Sequence, residues 1–283
     1  MTNIDQFESI FKKADKPRFQ FEHVDLDELM VVTDDDQTQT EKFADQVADF
    51  LDSTLLERQI KWHKVSGDQH TSVNDLLLHI ERVQPDLICT YRNLHAPASD
   101  YPFSLGVYID VLSQVTEMPV LVLPSPNRSA KIPTSTSNVM AIADHLTGDH
   151  HLVSYAARLT TQHGTLFLTH VEDEVVFERY MSVIAKIPSI DTETAREAIL
   201  KQLLEEPHDY IRSCAEVLAE AGLPIKIQEG VALGHSLRDY QRLVDEHSVD
   251  LLVLNTKHED QLAMHGVAYP LCVELRDTPI LML

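Results

Sequence analysis

Apolar and polar positions change period along this chain in a regular order. From Asn138 the run NVMAIAD is followed by GDHHLVSYAARLTTQHG at helical spacing, which predicts a strand and then a helix stopped by Gly164 as a C-terminal cap. TLFLTHV, at residues 165–171, reads as the next strand, and a helical region over about 192–221 is ended by Gly222 and Pro224. A strand, a helix, a strand, a short helix and a last strand follow. The near-continuous runs MAIA, LLVL and ILML suit strands buried on both faces. Strands alternating with helices predict right-handed crossovers and a parallel sheet covered on both sides.

The N-terminal half repeats this pattern. Ser72 opens the helical run VNDLLLHIERVQP, Asp86 lies 14 residues on, and the strand LICT follows; Ser236 opens LRDYQRLVDEHSV, Asp250 lies 14 on, and LLVL follows. Both serines read as N-caps, because a hydroxyl can accept from an orphan backbone N–H. An Ile-Lys pair opens the preceding strand in each half, at Ile60 and Ile225. A Gly-Val pair at Gly106 and Gly266 is followed 13 residues later by Pro119 and Pro279, each opening a last strand. Between the halves, PSPNRSAKIPTSTS has the composition of a linker. The expected organisation is a shortened domain over 1–124, a linker over 125–137 and a complete domain over 138–283. Two stretches, FQFEHV at 19–24 and ELMVVTD at 28–34, compete for the first strand positions, and one strand–helix unit of the N-terminal half is missing or rebuilt.

Composition narrows the function classes. With 23 Lys and Arg against 45 Asp and Glu in 283 residues, the formal charge is 23 − 45 = −22, which disfavours nucleic acid and anionic membranes as partners. No run of 18 apolar residues is present, and MTNIDQFESIFKKADK lacks the apolar core of a secretory signal. Cys89, Cys214 and Cys272 are widely spaced and odd in number, which fits a reducing compartment. The expectation is a soluble, cytoplasmic protein.

From Asn138 onward the chain resembles the universal stress protein domain. MAIAD looks like that family's first strand ending in Asp, FLTHVED like its second, VDLLVLNT like the fourth, and AYPLCVELRDTPILML like the closing helix and fifth strand. The N-terminal half matches more weakly, over about 37–123, so the whole is similar to tandem universal stress proteins. The resemblance implies an α/β fold of two doubly wound, mostly parallel five-stranded sheets of the adenine nucleotide alpha hydrolase type, the first truncated. It also implies a closing strand that pairs antiparallel with that of another domain. The short apolar runs MPVLVLP and TPILML are then expected to pair within one chain, since unpaired they would template aggregation. A further homodimer and protein partners of unknown identity stay open.

Nucleotide-binding members of that family carry G-x-x-G, nine residues, then G-[ST], because backbone N–H groups must approach phosphate without a Cβ in the way. Counted from Asp86 and Asp250, the early glycine positions hold Tyr91 and Leu94 in one half and Asn255 and His258 in the other. The late glycine remains as Gly106 and Gly266, but Val107 and Val267 replace the hydroxyl residue. The spacing from Asp to late glycine also differs, 20 residues against 16. The reading is a stress-response protein that is not an enzyme, acts through ligand or protein binding, and carries no cofactor. The alternative is an ATP-binding regulator with Asp144, Val171, Asn255, His258, Gly266 and Val267 as its site.

Other candidates are weaker. GHSLR at 234–238 approximates a nucleophile elbow, but Arg238 stands where the second glycine is required, and Ser236 is better read as a cap. His145, His150 and His151 with Asp144 or Asp149 suggest a metal or small-ligand sensor, against which adjacent histidines on a helix diverge. Asp34, Asp35 and Asp36 precede a helix over 37–58 and read as N-terminal charge; its stripe of Phe43, Val47, Phe50, Leu51 and Leu55 faces a core. Trp62 reads as strand packing.

Overall fold

The computed structural model of the chain describes residues 18–55, 59–96, 103–125, 131–143, 146–256 and 266–283. The N-terminal half runs β1 (Glu28–Val32), α1 (Gln37–Leu55), β2 (Lys61–Val65), α2 (Val73–Val83), β3 (Leu87–Tyr91), α3 (Val107–Val115) and β4 (Val120–Leu123). The C-terminal half runs β5 (Asn138–Ile142), α4 (His150–Arg158), β6 (Thr165–Asp173), α5 (Glu174–Ile184), α6 (Thr192–Glu220), β7 (Lys226–Gly234), α7 (Ser236–Glu246), β8 (Leu251–Leu254), α8 (Ala268–Glu274) and β9 (Ile280–Met282). All nine strands join one sheet in the order β2-β1-β3-β4-β9-β8-β5-β6-β7.

Every neighbouring pair is parallel except β4 with β9. There Val120 faces Met282, Leu121 faces Leu281 and Val122 faces Ile280. Leu121 and Leu281 are fully buried, and each such side chain contributes about 1.5–3 kcal/mol by leaving water. The outermost strands carry the polar residues that an unpaired edge needs: Lys61 and Lys64 on β2, Lys226, Gln228 and Glu229 on β7.

Matched hydrogen bonds tie the two halves to one plan. The amide of Asp86 donates to the Glu28 carbonyl and that of Asp250 to the Asn138 carbonyl, both at 2.8 Å. Each aspartate then returns a carboxylate to the same strand start, Asp86 Oδ2 accepting from Glu28 N at 2.9 Å and Asp250 Oδ2 from Asn138 N at 2.8 Å. Two residues earlier, Gln84 and Ser248 both take left-handed φ, 51° and 48°, to end their helices. Beyond the aspartates, Ile88 N and Leu252 N donate to the carbonyls of Pro119 and Pro279, each at 3.0 Å. In sheet order β2-β1-β3-β4 matches β6-β5-β8-β9, and among the described residues the N-terminal half has no outer strand at the place of β7.

Several expectations change. The strand is 28–32, not 19–24: the backbone of 19–22 lies off the sheet and straps α4 and α6 instead. Phe19 N donates to Ser213 Oγ and Glu22 N to Ser154 Oγ, both at 3.0 Å, and the Phe19 ring lies edge-on to His150 and Tyr210. Ser236 is not a cap. It is the first residue of α7, its hydroxyl reaches the Val171 carbonyl at 3.4 Å, and Asp239 Oδ2 accepts from His235 N at 2.7 Å in its place. Gly164 does not end α4 by its conformation; His163 takes the left-handed φ of 64°, and a Cβ on Gly164 would meet the Ser137 carbonyl at 2.8 Å. The linker's last residues are not solvated either: Thr136 is buried and its carbonyl accepts from Thr161 N. Asp36 alone of the acidic run caps α1, accepting from Gln39 N at 2.9 Å. Among the described residues no helix is long and apolar enough to cross a membrane.

Candidate functional site

Ligands in parallel α/β sheets bind where successive crossovers diverge, at the carboxyl ends of two adjacent strands. β1 leads through α1 to β2 on one side, and β2 leads through α2 back across to β3 on the other, so the N-terminal crevice lies between β1 and β3. By the same argument the C-terminal crevice lies between β5 and β8.

At the N-terminal crevice the chain's own side chains bond to one another. Tyr91 ends β3, and its one phenolic proton lies between Asp34 Oδ1, in close contact, and Asp35 Oδ2 at 3.0 Å. Burial first, then the hydrogen-bonded Asp34 carboxylate, push that phenol far above its ordinary range, so the proton stays. Asp34 Oδ2 accepts from His95 N at 2.8 Å. The His95 ring in turn meets His70, Nε2 to Nδ1 at 3.2 Å. Because His70 Nε2 lies 2.8 Å from the Thr33 carbonyl it must donate there, which leaves Nδ1 as the acceptor and His95 Nε2 as the donor. His70 is fully buried, and burial lowers its pKa against the opposing pull of the Thr33 carbonyl. Tyr108 stands beside both rings, its centroid 5.6 Å from His70 and 5.3 Å from His95.

The loop leaving β3 is held in a tight form. Asn93 and His95 have φ of 60° and 58°, and Gly106, at φ 92° and ψ 152°, lies against Asn93 so closely that a Cβ would come 2.8 Å from Asn93 Cα. Leu94 is buried at 2% exposure. Neither position that a phosphate cradle reserves for glycine is therefore open here: one is a hydrogen-bonded phenol, the other a core side chain. Arg92 turns the opposite way, across the β4–β9 seam, and its Nη2 donates to the Leu275 carbonyl at 2.8 Å, where a cation complements the carbonyl end of α8.

The sequence-derived site belongs to the C-terminal crevice, and its residues are held by separate partners. Asn255 follows β8, and its amide donates to Asp149 Oδ2 in close contact, while Asp149 Oδ1 accepts from Leu152 N at 3.0 Å and caps α4. Val171 lies in β6, buried; its N–H donates to the Tyr240 hydroxyl at 2.9 Å. Gly266, at φ 62°, and Val267 form the turn into α8. Asp144, His145 and His258 lie outside the described residues. His150 and His151 diverge, one to Tyr210 at 2.9 Å and the other to Glu22 at 3.3 Å. Among the described residues no three His, Cys, Asp or Glu converge as metal ligands. Sequence reasoning missed the Tyr91, Asp34, His95 and His70 network; its one trace is an acidic run placed directly after a strand.

No family model matches this sequence, and no curated protein matches it either. Solved structures do. A functionally unknown protein from Pseudomonas aeruginosa PAO1 is similar at 13% identity and a TM-score of 0.51, with 91% of this chain and 92% of that chain covered. A putative universal stress protein from Pseudomonas aeruginosa UCBPP-PA14 is similar at the same identity and TM-score, over 91% and 93%. A universal stress protein from Archaeoglobus fulgidus DSM 4304 aligns at 12% identity and a TM-score of 0.49, over 90% and 85%. At such identities the likeness is one of architecture: this chain has the α/β fold, with a mostly parallel sheet, of universal stress protein structures.

Proposed function

We propose that this protein is a non-enzymatic, tandem member of the universal stress type, built from a duplicated unit and acting by binding other molecules without a resident adenine nucleotide. The observation that carries this is Tyr91, locked to Asp34 and Asp35 in the crevice where a phosphate loop would need an open backbone. The matched hydrogen bonds of Asp86 and Asp250 support the duplication. Asn255, tied to Asp149, supports loss of the cradle in the second crevice as well.

One feature favours a nucleotide-binding regulator as the second reading. Gly266 keeps a left-handed φ at the turn into α8, the conformation a close backbone approach to phosphate uses. Thermal unfolding with ATP, ADP and AMP, each with and without Mg²⁺, separates the two. A ligand at one hundred times its Kd adds about 2.7 kcal/mol, so binding would be plain. No shift with any nucleotide is the expected outcome, and a saturable shift that weakens when Asn255 or Gly266 is replaced would establish the second reading.

A further inference from the structure

Apolar side chains facing water are concentrated on one element. Val176, Tyr180, Val183 and Ile187, along α5 and the turn after it, are 43%, 64%, 55% and 41% exposed. They follow one another at intervals of 4, 3 and 4 residues, the d-a-d-a spacing of a heptad seam. The next face of α5 is already used: Phe177 and Met181 are buried, with Ile184 packed beside them, in a small core shared with Ala195, Ile199 and Leu203 of α6. A surface helix needs one apolar face to dock on its own fold. α5 has two, and among the described residues the outer one joins neither apolar core.

We propose that this outer seam is a docking site for an amphipathic helix of a partner protein whose apolar ridge is flanked by Asp or Glu. The charges beside the seam select that partner. In heptad terms Phe177 and Ile184 occupy e positions, which pack against α6, while Arg179 occupies a g position on the open side and Lys186 follows in the turn after α5. Neither cation makes an ion pair among the described residues. Glu178, the acid next to Arg179, is engaged by both terminal nitrogens of Arg196. The seam is thus a local cationic border on a protein of net charge −22. A second copy of this chain fits poorly. Antiparallel pairing would set Arg179 of one copy against Lys186 of the other, and parallel pairing would need the e side that α6 already covers. An anionic bilayer would accept the two cations but repel the acidic body that carries them.

The probe is a synthetic helix of roughly three heptads with Leu at a and d and Glu at e and g, labelled and titrated with the full-length protein against a Lys-flanked control. Saturable binding of the Glu-flanked peptide, with little for the control, is expected. Tyr180→Glu should weaken it by about tenfold or more, as loss of a central aromatic anchor does. Because Tyr180 is exposed, that variant should fold as the parent does, and its unfolding curve checks this. Arg179→Glu with Lys186→Glu should reverse the preference toward the Lys-flanked peptide. Absence of saturable binding, equal binding of both peptides, or affinity unmoved by these variants would overturn the proposal. So would a homodimer by sedimentation that Tyr180→Glu dissolves, or tighter binding to phosphatidylserine vesicles than to the peptide.

Discussion

Tyr91 and Gly106 act on the same loop from opposite directions, one by filling space and the other by leaving it empty. Gly106 occupies a φ, ψ region essentially closed to residues with a Cβ, and its neighbour Asn93 leaves no room for one. Gly106→Ala should therefore cost about 2–3 kcal/mol in urea unfolding, whereas Gly148→Ala, also at positive φ but facing open space, should cost about 1 kcal/mol. His70 supplies a pH dependence. Its folded pKa is lowered from the ordinary 6.5 by burial, so below that value the unfolded chain binds the proton that the folded chain refuses. This contribution is present above pH 6.5 and is lost as pH falls toward the folded pKa, with a slope of at most about 1.4 kcal/mol per pH unit. His70→Gln should flatten the fall in stability below pH 6.5 relative to the parent, by at most about that slope. Beyond the acidic run, this network could not be read from the chain, because Asp34, His70 and the pair Tyr91 and His95 come from three segments that only the crossovers bring together.

Among the elements, the helices α2 and α7, each preceded or opened by a serine at matching spacing, begin differently. Ser72 caps α2 through a reciprocal pair with Asp75, while α7 relies on Asp239 reaching back to His235 N. Ser72→Ala and Asp239→Ala should each destabilise by about 1 kcal/mol, and Ser236→Ala by less than about 0.5 kcal/mol. Equal effects at Ser72 and Ser236 would contradict the capping difference. Spacing aligned these serines in the sequence, but it could not show which oxygen meets which amide. The segment 19–24 misleads for a related reason. Its alternation of aromatic and polar residues suits a strand, yet its amides find the hydroxyls of Ser213 and Ser154 on α6 and α4. α5 escaped notice because EVVFERYMSVI is apolar on two faces, which blurs the helical period that would reveal it.

For the whole molecule, the buried strands were legible, since MAIA, LLVL and ILML need no long-range knowledge to be recognised as strands covered on both faces. The seam follows from them. Removing residues 279–283 would strip β9 from between β4 and β8 and leave two apolar edges without partners. That truncation should aggregate on light scattering at concentrations where the parent stays monodisperse; a soluble, monodisperse product would count against the seam as the structural centre.

The place of β9 also sets a timetable. Among the described strands it follows all others in sequence and is the fifth of nine in the sheet, so a late segment sits in the middle. During synthesis the residues through β4 must wait, their inner margin bare, until some 150 further residues have emerged; pairings between such distant segments form slowly. Residues 19–22 wait as well, because the helices they lie across are made long after them. Until β9 arrives, the N-terminal half therefore presents the apolar edge of β4 without its partner.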